Sequence, residues 1–132
     1  MDPKGKKILI ADDEPDILEI ISYNLKIEGY DVVTAKYGED ALQKAKISKP
    51  DLIILDVTMP KKDGFQVFSE LRQNQLTSRI PIVMLTGISA QGSVKFSKKE
   101  MGEFFGEEPE AFLDKPLDPE KLSKTIKTVL KI

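Results

Sequence analysis

The chain of 132 residues contains no cysteine, no histidine and no tryptophan. Without cysteine it forms no disulfide and carries no thiolate, and without histidine it has no imidazole base or imidazole metal ligand. Any phosphohistidine chemistry must therefore use the histidine of a partner. No apolar run approaches the roughly 20 residues of a membrane span, and residues 1–7 lack the apolar stretch of a signal peptide. We expect a cytoplasmic protein with no membrane contact.

The chain also lacks a surplus of positive charge. It has 20 basic and 22 acidic residues, which gives a net charge of −2. A nucleic-acid surface is usually basic, so we expect no nucleic-acid binding by this chain itself. The length suits one ordinary domain, and we expect residues 1–132 to form it.

Short runs rich in Ile, Leu and Val alternate with segments whose apolar residues recur at helical spacing. The runs, expected to be strands, are 8–11, 31–35, 52–56, 82–86 and 111–114. The expected helices are 15–28, 39–48, 65–73, a segment within 88–110, and 119–130. Strict alternation predicts right-handed crossovers and helices on both faces of a parallel sheet. The expected fold is therefore α/β, a three-layer, doubly wound, five-stranded parallel sheet with strand order 2-1-3-4-5, as in flavodoxin-like proteins.

Polar side chains follow several of these runs. Asp12 and Asp13 come after the first, Asp56 ends the third, Thr86 ends the fourth and Lys115 follows the fifth. In open parallel sheets ligands bind beyond the carboxyl ends of the strands, where the strand order reverses. We expect these three carboxylates, the hydroxyl and the ammonium to converge on one small site.

Three carboxylates in one site need a counter-charge, because a pair about 4 Å apart repels by several kcal/mol at an effective dielectric near 20. Oxygen ligands of this kind suit Mg²⁺, which keeps several waters and completes its shell with substrate phosphate. A lysine ammonium pairs well with a phosphate oxygen. We therefore expect Mg²⁺ or Mn²⁺ to bind, and phosphoryl transfer to an aspartate is the natural hypothesis.

The ordered set of motifs resembles the receiver domain of two-component response regulators over essentially the whole chain. The motifs are Asp12-Asp13, Asp56, Met59-Pro60 with Asp63-Gly64, Thr86-Gly87 and Lys115-Pro116. Each motif alone is weak, but five in this order are highly specific.

The resemblance implies a role for each site residue. Asp56 would accept the phosphoryl group, and Thr86 and Lys115 would bind its oxygens. Asp12, Asp13, Asp56 and the backbone carbonyl of Thr58 would hold the metal. Thr86 and Phe112 would change conformation on activation.

The resemblance also implies partners. A sensor histidine kinase or histidine phosphotransfer protein would donate the phosphoryl group, and a downstream protein target would read an altered interaction face. We expect a stand-alone receiver, a signalling domain rather than a turnover enzyme, that assists its own phosphorylation and dephosphorylation. It would be a monomer or a weak, phosphorylation-dependent dimer.

Other interpretations of single features stay open. Asp12 and Asp13 could cap the first helix, where carboxylates favour the helix dipole. Phe112 could be an ordinary core residue. Thr86 and Lys115 stand 29 positions apart, more than is usual in receivers. The surplus contains Met101, Phe104 and Phe105, which could pack on the sheet or form an exposed partner site.

Three other functional classes share parts of the pattern. A haloacid-dehalogenase-like phosphatase would want a second Asp two positions after Asp56, where Thr58 stands. A flavodoxin-like nucleotide binder would want a loop rich in hydroxyls and glycine after the first strand. A receiver-shaped module that no longer takes phosphate usually lacks a site residue, and none is missing here.

Overall fold

A computed structural model describes residues 5–59, 61–87, 109–115 and 117–132. The strands in it are β1 (Lys7–Ala11), β2 (Asp31–Ala35), β3 (Leu52–Asp56), β4 (Ile82–Gly87) and β5 (Ala111–Lys115). The helices are α1 (Pro15–Ile27), α2 (Gly38–Ser48), α3 (Gly64–Gln73) and α4 (Pro119–Leu130). The helix expected within 88–110 lies outside the described residues, as do Met101, Phe104 and Phe105.

The five strands form one parallel sheet in the order β2-β1-β3-β4-β5. This order confirms the predicted doubly wound fold. Strand order reverses between β1 and β3, which are hydrogen-bonded neighbours although α1, β2 and α2 separate them in the chain. The carboxyl ends of these two strands therefore lie side by side.

Alternate side chains of each strand fill two separate cores, one on each face of the sheet. The α2/α3 core takes Leu9, Ile53, Leu55 and Met84 from the strands, with Val67, Phe68 and Leu71 from α3. The α1/α4 core takes Ile8, Ile10, Ile54 and Leu85 from the strands, with Ile21 and Leu25 from α1 and Leu122 and Ile126 from α4. All five residues of β3 are buried, as expected for the central strand of a parallel sheet.

Local sequence signals fix the ends of the helices. Pro15 begins α1, and Gly29 follows its end with a positive φ of 105°. The Tyr30 N–H donates to the Leu25 carbonyl and the Gly29 N–H donates to the Lys26 carbonyl, a Schellman ending. This ending turns the chain directly into β2.

Gly64 brings the start of α3 against the end of β3. Its N–H donates to the carbonyl of Val57 at 2.8 Å. A Cβ atom at this position would collide with the backbone carbonyl of Asp56 and lie 2.8 Å from the Cα of Val57. The absence of a side chain thus lets α3 begin directly beside Asp56.

Among the described residues, no helix has the length and apolar content needed to cross a membrane.

Candidate functional site

Three carboxylates meet at the carboxyl edge of the sheet, where β1 and β3 end. One oxygen from each of Asp12, Asp13 and Asp56 can be chosen so that all three atoms lie within 4.8 Å of one another. Asp56 is the last residue of β3, while Asp12 and Asp13 directly follow β1. The structure therefore brings together the three carboxylates that the sequence predicts as metal ligands.

The two adjacent aspartates have different environments. Asp12 is fully buried, and its Oδ1 accepts a hydrogen bond from the Glu14 N–H at 2.9 Å, whereas Asp13 is exposed. The residue at the N-cap of α1 is Glu14, whose side chain makes no cap hydrogen bond. Asp12 thus braces the loop that leads into α1 rather than occupying the cap position.

Asp56 is 2 % exposed. Its Oδ1 accepts a long hydrogen bond from the Thr58 N–H at 3.3 Å. Thr58 itself is exposed on the loop after β3. The assignment of the Thr58 carbonyl as a metal ligand stays a prediction.

Lys115 joins the cluster from the end of β5. Its Nζ lies 2.8 Å from Asp12 Oδ2, 3.5 Å from Asp56 Oδ1 and 2.8 Å from Glu14 Oε1. The Lys115 side chain is 13 % exposed, so these contacts are partly shielded from water. The predicted ammonium is therefore in the site, with Glu14 as a partner that the sequence analysis did not assign to it.

Burial and mutual repulsion make this site electrostatically unusual. Burial, followed by the charge of Asp12, raises the pKa of Asp56 to about 7, against the smaller opposing effects of Lys115 and the Thr58 N–H. Burial also opposes the charge of Lys115, but its hydrogen bonds to Asp12 and Glu14 outweigh that effect and raise its pKa. Near neutral pH, a second cation would favour ionised Asp56.

The site fits a hard divalent cation. Its donors are all carboxylate oxygens, two of the three ligands are buried, and the pKa of Asp56 is raised. Mg²⁺ favours a few carboxylates and keeps water and phosphate in its other positions, and exposed Asp13 leaves the site open on one side.

Thr86 lies at the end of β4 but does not direct its hydroxyl to Asp56. Its Oγ1 donates to Asp114 Oδ1 at 2.6 Å and lies 3.5 Å from the Leu113 carbonyl. Asp114 is exposed and directly precedes Lys115 in β5. Convergence of all five predicted groups is therefore incomplete, because the hydroxyl has a different partner.

Phe112 is half-buried and packs against the α2/α3 core. It stands opposite Met84 in the β4–β5 register. This packing agrees with the core interpretation, and a change of conformation on activation stays a prediction.

Two acidic partners were not predicted from the sequence, Glu14 for Lys115 and Asp114 for Thr86. Asp114 could have been found from the register of β4 and β5, since Thr86 pairs with Asp114 when Gly87 pairs with Lys115. Glu14 offered no comparable signal, because residues 14 and 115 meet only through the order of the folded strands.

Comparison with known proteins agrees with this geometry. The family described as response regulator receiver domain matches residues 8–127. The alkaline phosphatase synthesis transcriptional regulatory protein PhoP of Bacillus subtilis is 42% identical over 127 residues, which are 96% of this chain and 49% of PhoP. The chain thus spans about half the length of that relative.

Solved structures are similar over nearly their whole length. Chemotaxis protein CheY4 of Vibrio cholerae is 35% identical with a TM-score of 0.80, covering 94% of this chain and 98% of its own. The receiver domain of the sensor histidine kinase PA1611 from Pseudomonas aeruginosa is 26% identical with a TM-score of 0.80, covering 97% and 99%, and holds magnesium in its active-site cleft. With its strand order, its carboxylate cluster and the family match over residues 8–127, this chain belongs to the response regulator receiver domain family.

Proposed function

We propose that this domain accepts a phosphoryl group on Asp56 from the phosphohistidine of a sensor histidine kinase or histidine phosphotransfer protein. One observation carries the proposal. Asp56 is a buried carboxylate at the end of the central strand, with two further carboxylates and an ammonium around it. A structural aspartate has no need of that surplus of negative charge, whereas a metal-assisted phosphoryl site does.

The proposed reaction is in-line transfer. An oxygen of Asp56 attacks the phosphorus of the partner's phosphohistidine, and the new O–P bond forms as the P–N bond breaks. The electron pair of the P–N bond stays on the imidazole nitrogen, which takes a proton from solvent. Asp12, Asp13 and Asp56 would hold a divalent cation, which would supply positive charge to the phosphoryl oxygens.

Lys115 is the cationic side chain that the protein itself supplies beside Asp56. Its Nζ already lies 3.5 Å from Asp56 Oδ1, within reach of a group attached to that carboxylate. The raised pKa of Lys115 keeps it charged throughout the physiological range. Lys115 therefore stabilises the charge on the adduct without a proton transfer.

Hydrolysis would reset the domain. Water attacks phosphorus, and the bond to the Asp56 oxygen breaks with its electron pair on the carboxylate. One water proton goes to solvent and the other stays on inorganic phosphate. The exposed Thr58 lies beside this path and would influence the rate, as would Ile88, which lies outside the described residues. The domain thus carries one phosphoryl group on its own side chain and is a signalling domain rather than a turnover enzyme.

The signal would leave by protein contact through a face that includes β5, α4 and the helix expected within 88–110, which lies outside the described residues. To move a switch from about 1:99 to 99:1, phosphorylation must favour the active state by about 5.5 kcal/mol. A smaller free-energy difference is enough if phosphorylation shifts the population only in part and binding of a partner completes the change.

A stand-alone receiver in the cytoplasm remains our expectation. CheY4, to which this chain is similar over 98% of the CheY4 chain, is described as a chemotaxis protein. PhoP is about twice as long and is a transcriptional regulatory protein. The alternative is therefore a receiver that controls transcription as part of a longer protein. Monomer or weak phosphorylation-dependent dimer stays a prediction in either case.

The test is intact mass after incubation with acetyl phosphate and Mg²⁺, and separately with a phosphorylated histidine phosphotransfer protein. We expect one phosphoryl adduct that requires Mg²⁺ and disappears in Asp56→Asn. The matched control is Asp31→Asn, which removes an exposed carboxylate at the opposite edge of the sheet and should leave the adduct unchanged. Wild-type protein that binds Mg²⁺ but gains no adduct from either donor would contradict the proposal.

A further inference from the structure

Thr86 and Asp114 are direct neighbours across the β4–β5 pair. Their Cα atoms are register partners, as are those of Met84 and Phe112. Because side chains alternate along a strand, Thr86 lies on the same face as Met84, and Asp114 lies on the same face as Phe112. The two predicted switch residues and Asp114 therefore occupy one face of this strand pair.

The contact between Thr86 and Asp114 is a short hydrogen bond to a carboxylate. The Oγ1–Oδ1 distance is 2.6 Å, which is typical of a hydroxyl donating to a charged oxygen. The distance to the Leu113 carbonyl is 3.5 Å, at the outer limit for a hydrogen bond. Asp114 is therefore the main acceptor for the Thr86 hydroxyl.

A threonine hydroxyl has one proton to donate. If Thr86 is to donate to an oxygen of a phosphoryl group on Asp56, it must first release Asp114. The two acceptors compete for the same proton, one on β5 and the other on β3. Asp114 is exposed, so water can replace Thr86 as its hydrogen-bond donor after release.

We propose that Asp114 is a positioning residue, which holds the Thr86 hydroxyl away from the phosphoryl site until Asp56 is modified. This inference rests on the proposed function of Asp56. It gives the chain a specific resting contact whose strength sets how readily the switch operates. Weakening the contact favours the modified state, and strengthening it favours the resting state.

The test uses two substitutions that remove the same charge. Asp114→Ala removes both the charge and the acceptor, whereas Asp114→Asn removes the charge and keeps an oxygen that can accept from Thr86. Each is also made in a Thr86→Val background, which keeps the shape of the side chain but has no hydroxyl. The difference between Ala and Asn at position 114 therefore reports the hydrogen bond rather than the charge.

The first readout needs no phosphorylation. Three-bond couplings from the backbone nitrogen and carbonyl carbon to the Thr86 methyl carbon report its χ1 angle in solution. We expect one dominant rotamer in the wild type, averaged rotamers in Asp114→Ala and an intermediate result in Asp114→Asn. Identical couplings in all three proteins would overturn the role of Asp114.

The second readout is the affinity for beryllofluoride, a mimic of the phosphoryl group, in the presence of Mg²⁺. We expect Asp114→Ala to bind beryllofluoride about three- to tenfold more tightly than the wild type, with Asp114→Asn in between. This factor corresponds to the free energy of one hydrogen bond. In the Thr86→Val background the two substitutions should be equal. A difference that persists there, or equal affinities in wild type and Asp114→Ala, would overturn the inference alone. Failure of every protein, wild type included, to bind beryllofluoride would instead overturn the proposed function.

Discussion

The amino and carboxyl edges of the sheet differ in how their charged side chains are paired. At the amino edge, Arg72 lies 2.8 Å from Glu110 and donates to the Ile80 carbonyl at 2.7 Å. At the carboxyl edge, Lys115 contacts two carboxylates of the three-aspartate cluster and also Glu14. One edge pairs a cation with an anion, whereas the other gathers several anions around one cation.

The carboxyl edge is less stable than its burial alone would make it, because its charges are not matched one to one. A matched pair such as Arg72 and Glu110 secures the loops before β4 and β5. The Asp12–Asp56 pair does the reverse, because each charge makes the other harder to bury and raises the pKa of Asp56. Net repulsion within a buried site marks the carboxyl edge as the functional one.

Lys115→Met should have the largest effect on the difference between the two edges. Removing the ammonium leaves Asp12 and Asp56 buried without their cation, so we expect a loss of about 3 to 4 kcal/mol of unfolding free energy in metal-free protein at pH 8. Mg²⁺ should recover a large part of that loss by replacing the missing charge. The measurement is urea unfolding with Mg²⁺ and with chelator.

The amino-edge control for this experiment is Arg72→Met, which should also destabilise the protein but show no extra recovery with Mg²⁺. If Mg²⁺ restores the unfolding free energy of both variants equally, the carboxyl edge is not a specific site for the cation.

The close contact at Gly64 should have the next largest effect. In Gly64→Ala the new methyl group meets the backbone of Asp56 and Val57, which cannot move aside as a flexible side chain could. We expect a loss of about 3 kcal/mol in stability and weaker Mg²⁺ binding. Gln66→Ala, on the exposed side of the same helix, is the control and should change stability by less than about 0.5 kcal/mol. A fully stable Gly64→Ala protein would contradict the close packing of α3 on β3.

The pH dependence of metal-free protein should distinguish the edges further. The pKa of Asp56 is about 7 in the folded state against 3.8 for the free side chain, so the folded state binds the proton more tightly. The contribution of Asp56 to stability is therefore largest below its unfolded pKa of 3.8, and it is lost as the pH rises through its folded pKa of about 7. Between pH 5.5 and 8 we expect a loss of about 2 kcal/mol. Thermal unfolding in chelator measures it.

The matching variants for this pH profile are Asp56→Asn and Asp31→Asn. The first should flatten the profile, because the titrating carboxyl is gone, and the second should leave it as in the wild type. A profile with the same slope in Asp56→Asn would assign the pH dependence to other groups.

Asp13→Asn should have the smallest effect. The Asp13 carboxylate is exposed and acts on Asp56 more weakly than Asp12 does, so metal-free stability should rise by less than about 1 kcal/mol. Mg²⁺ should protect the variant less than the wild type, since one ligand is lost. Asp16→Asn, in the first turn of α1, is the control. A fall in metal-free stability of Asp13→Asn beyond that of the control would count against crowding at the carboxyl edge.

Much of the site could be predicted because strand ends are visible in the sequence. Ile and Leu in an unbroken run mark β3, and Asp56 ends that run. Once the strands are parallel, their carboxyl ends share one edge, so Asp12, Asp13, Asp56 and Lys115 had to come close.

The environments of these residues were less predictable. Asp12 and Asp13 are neighbours in sequence, yet one is fully buried and the other is exposed. Both follow β1, and nothing in the Asp12-Asp13 dipeptide distinguishes them. In the folded chain Asp12 still continues the pairing of β1 with β2, since its N–H donates to the Ala35 carbonyl at 3.0 Å, whereas Asp13 lies one residue further along the loop that leads into α1.

The elements, their parallel order and the set of charges at one edge follow from the residue pattern, because apolar periodicity and chain connectivity leave few alternatives. The partners that those charges take depend on how the elements pack. Thr86 reaches Asp114, and Lys115 reaches Glu14, through the register of β4 on β5 and the adjacency of β1 to distant strands. Contacts of a few ångströms between residues far apart in the chain depend on that packing, which a pattern of residue types does not specify.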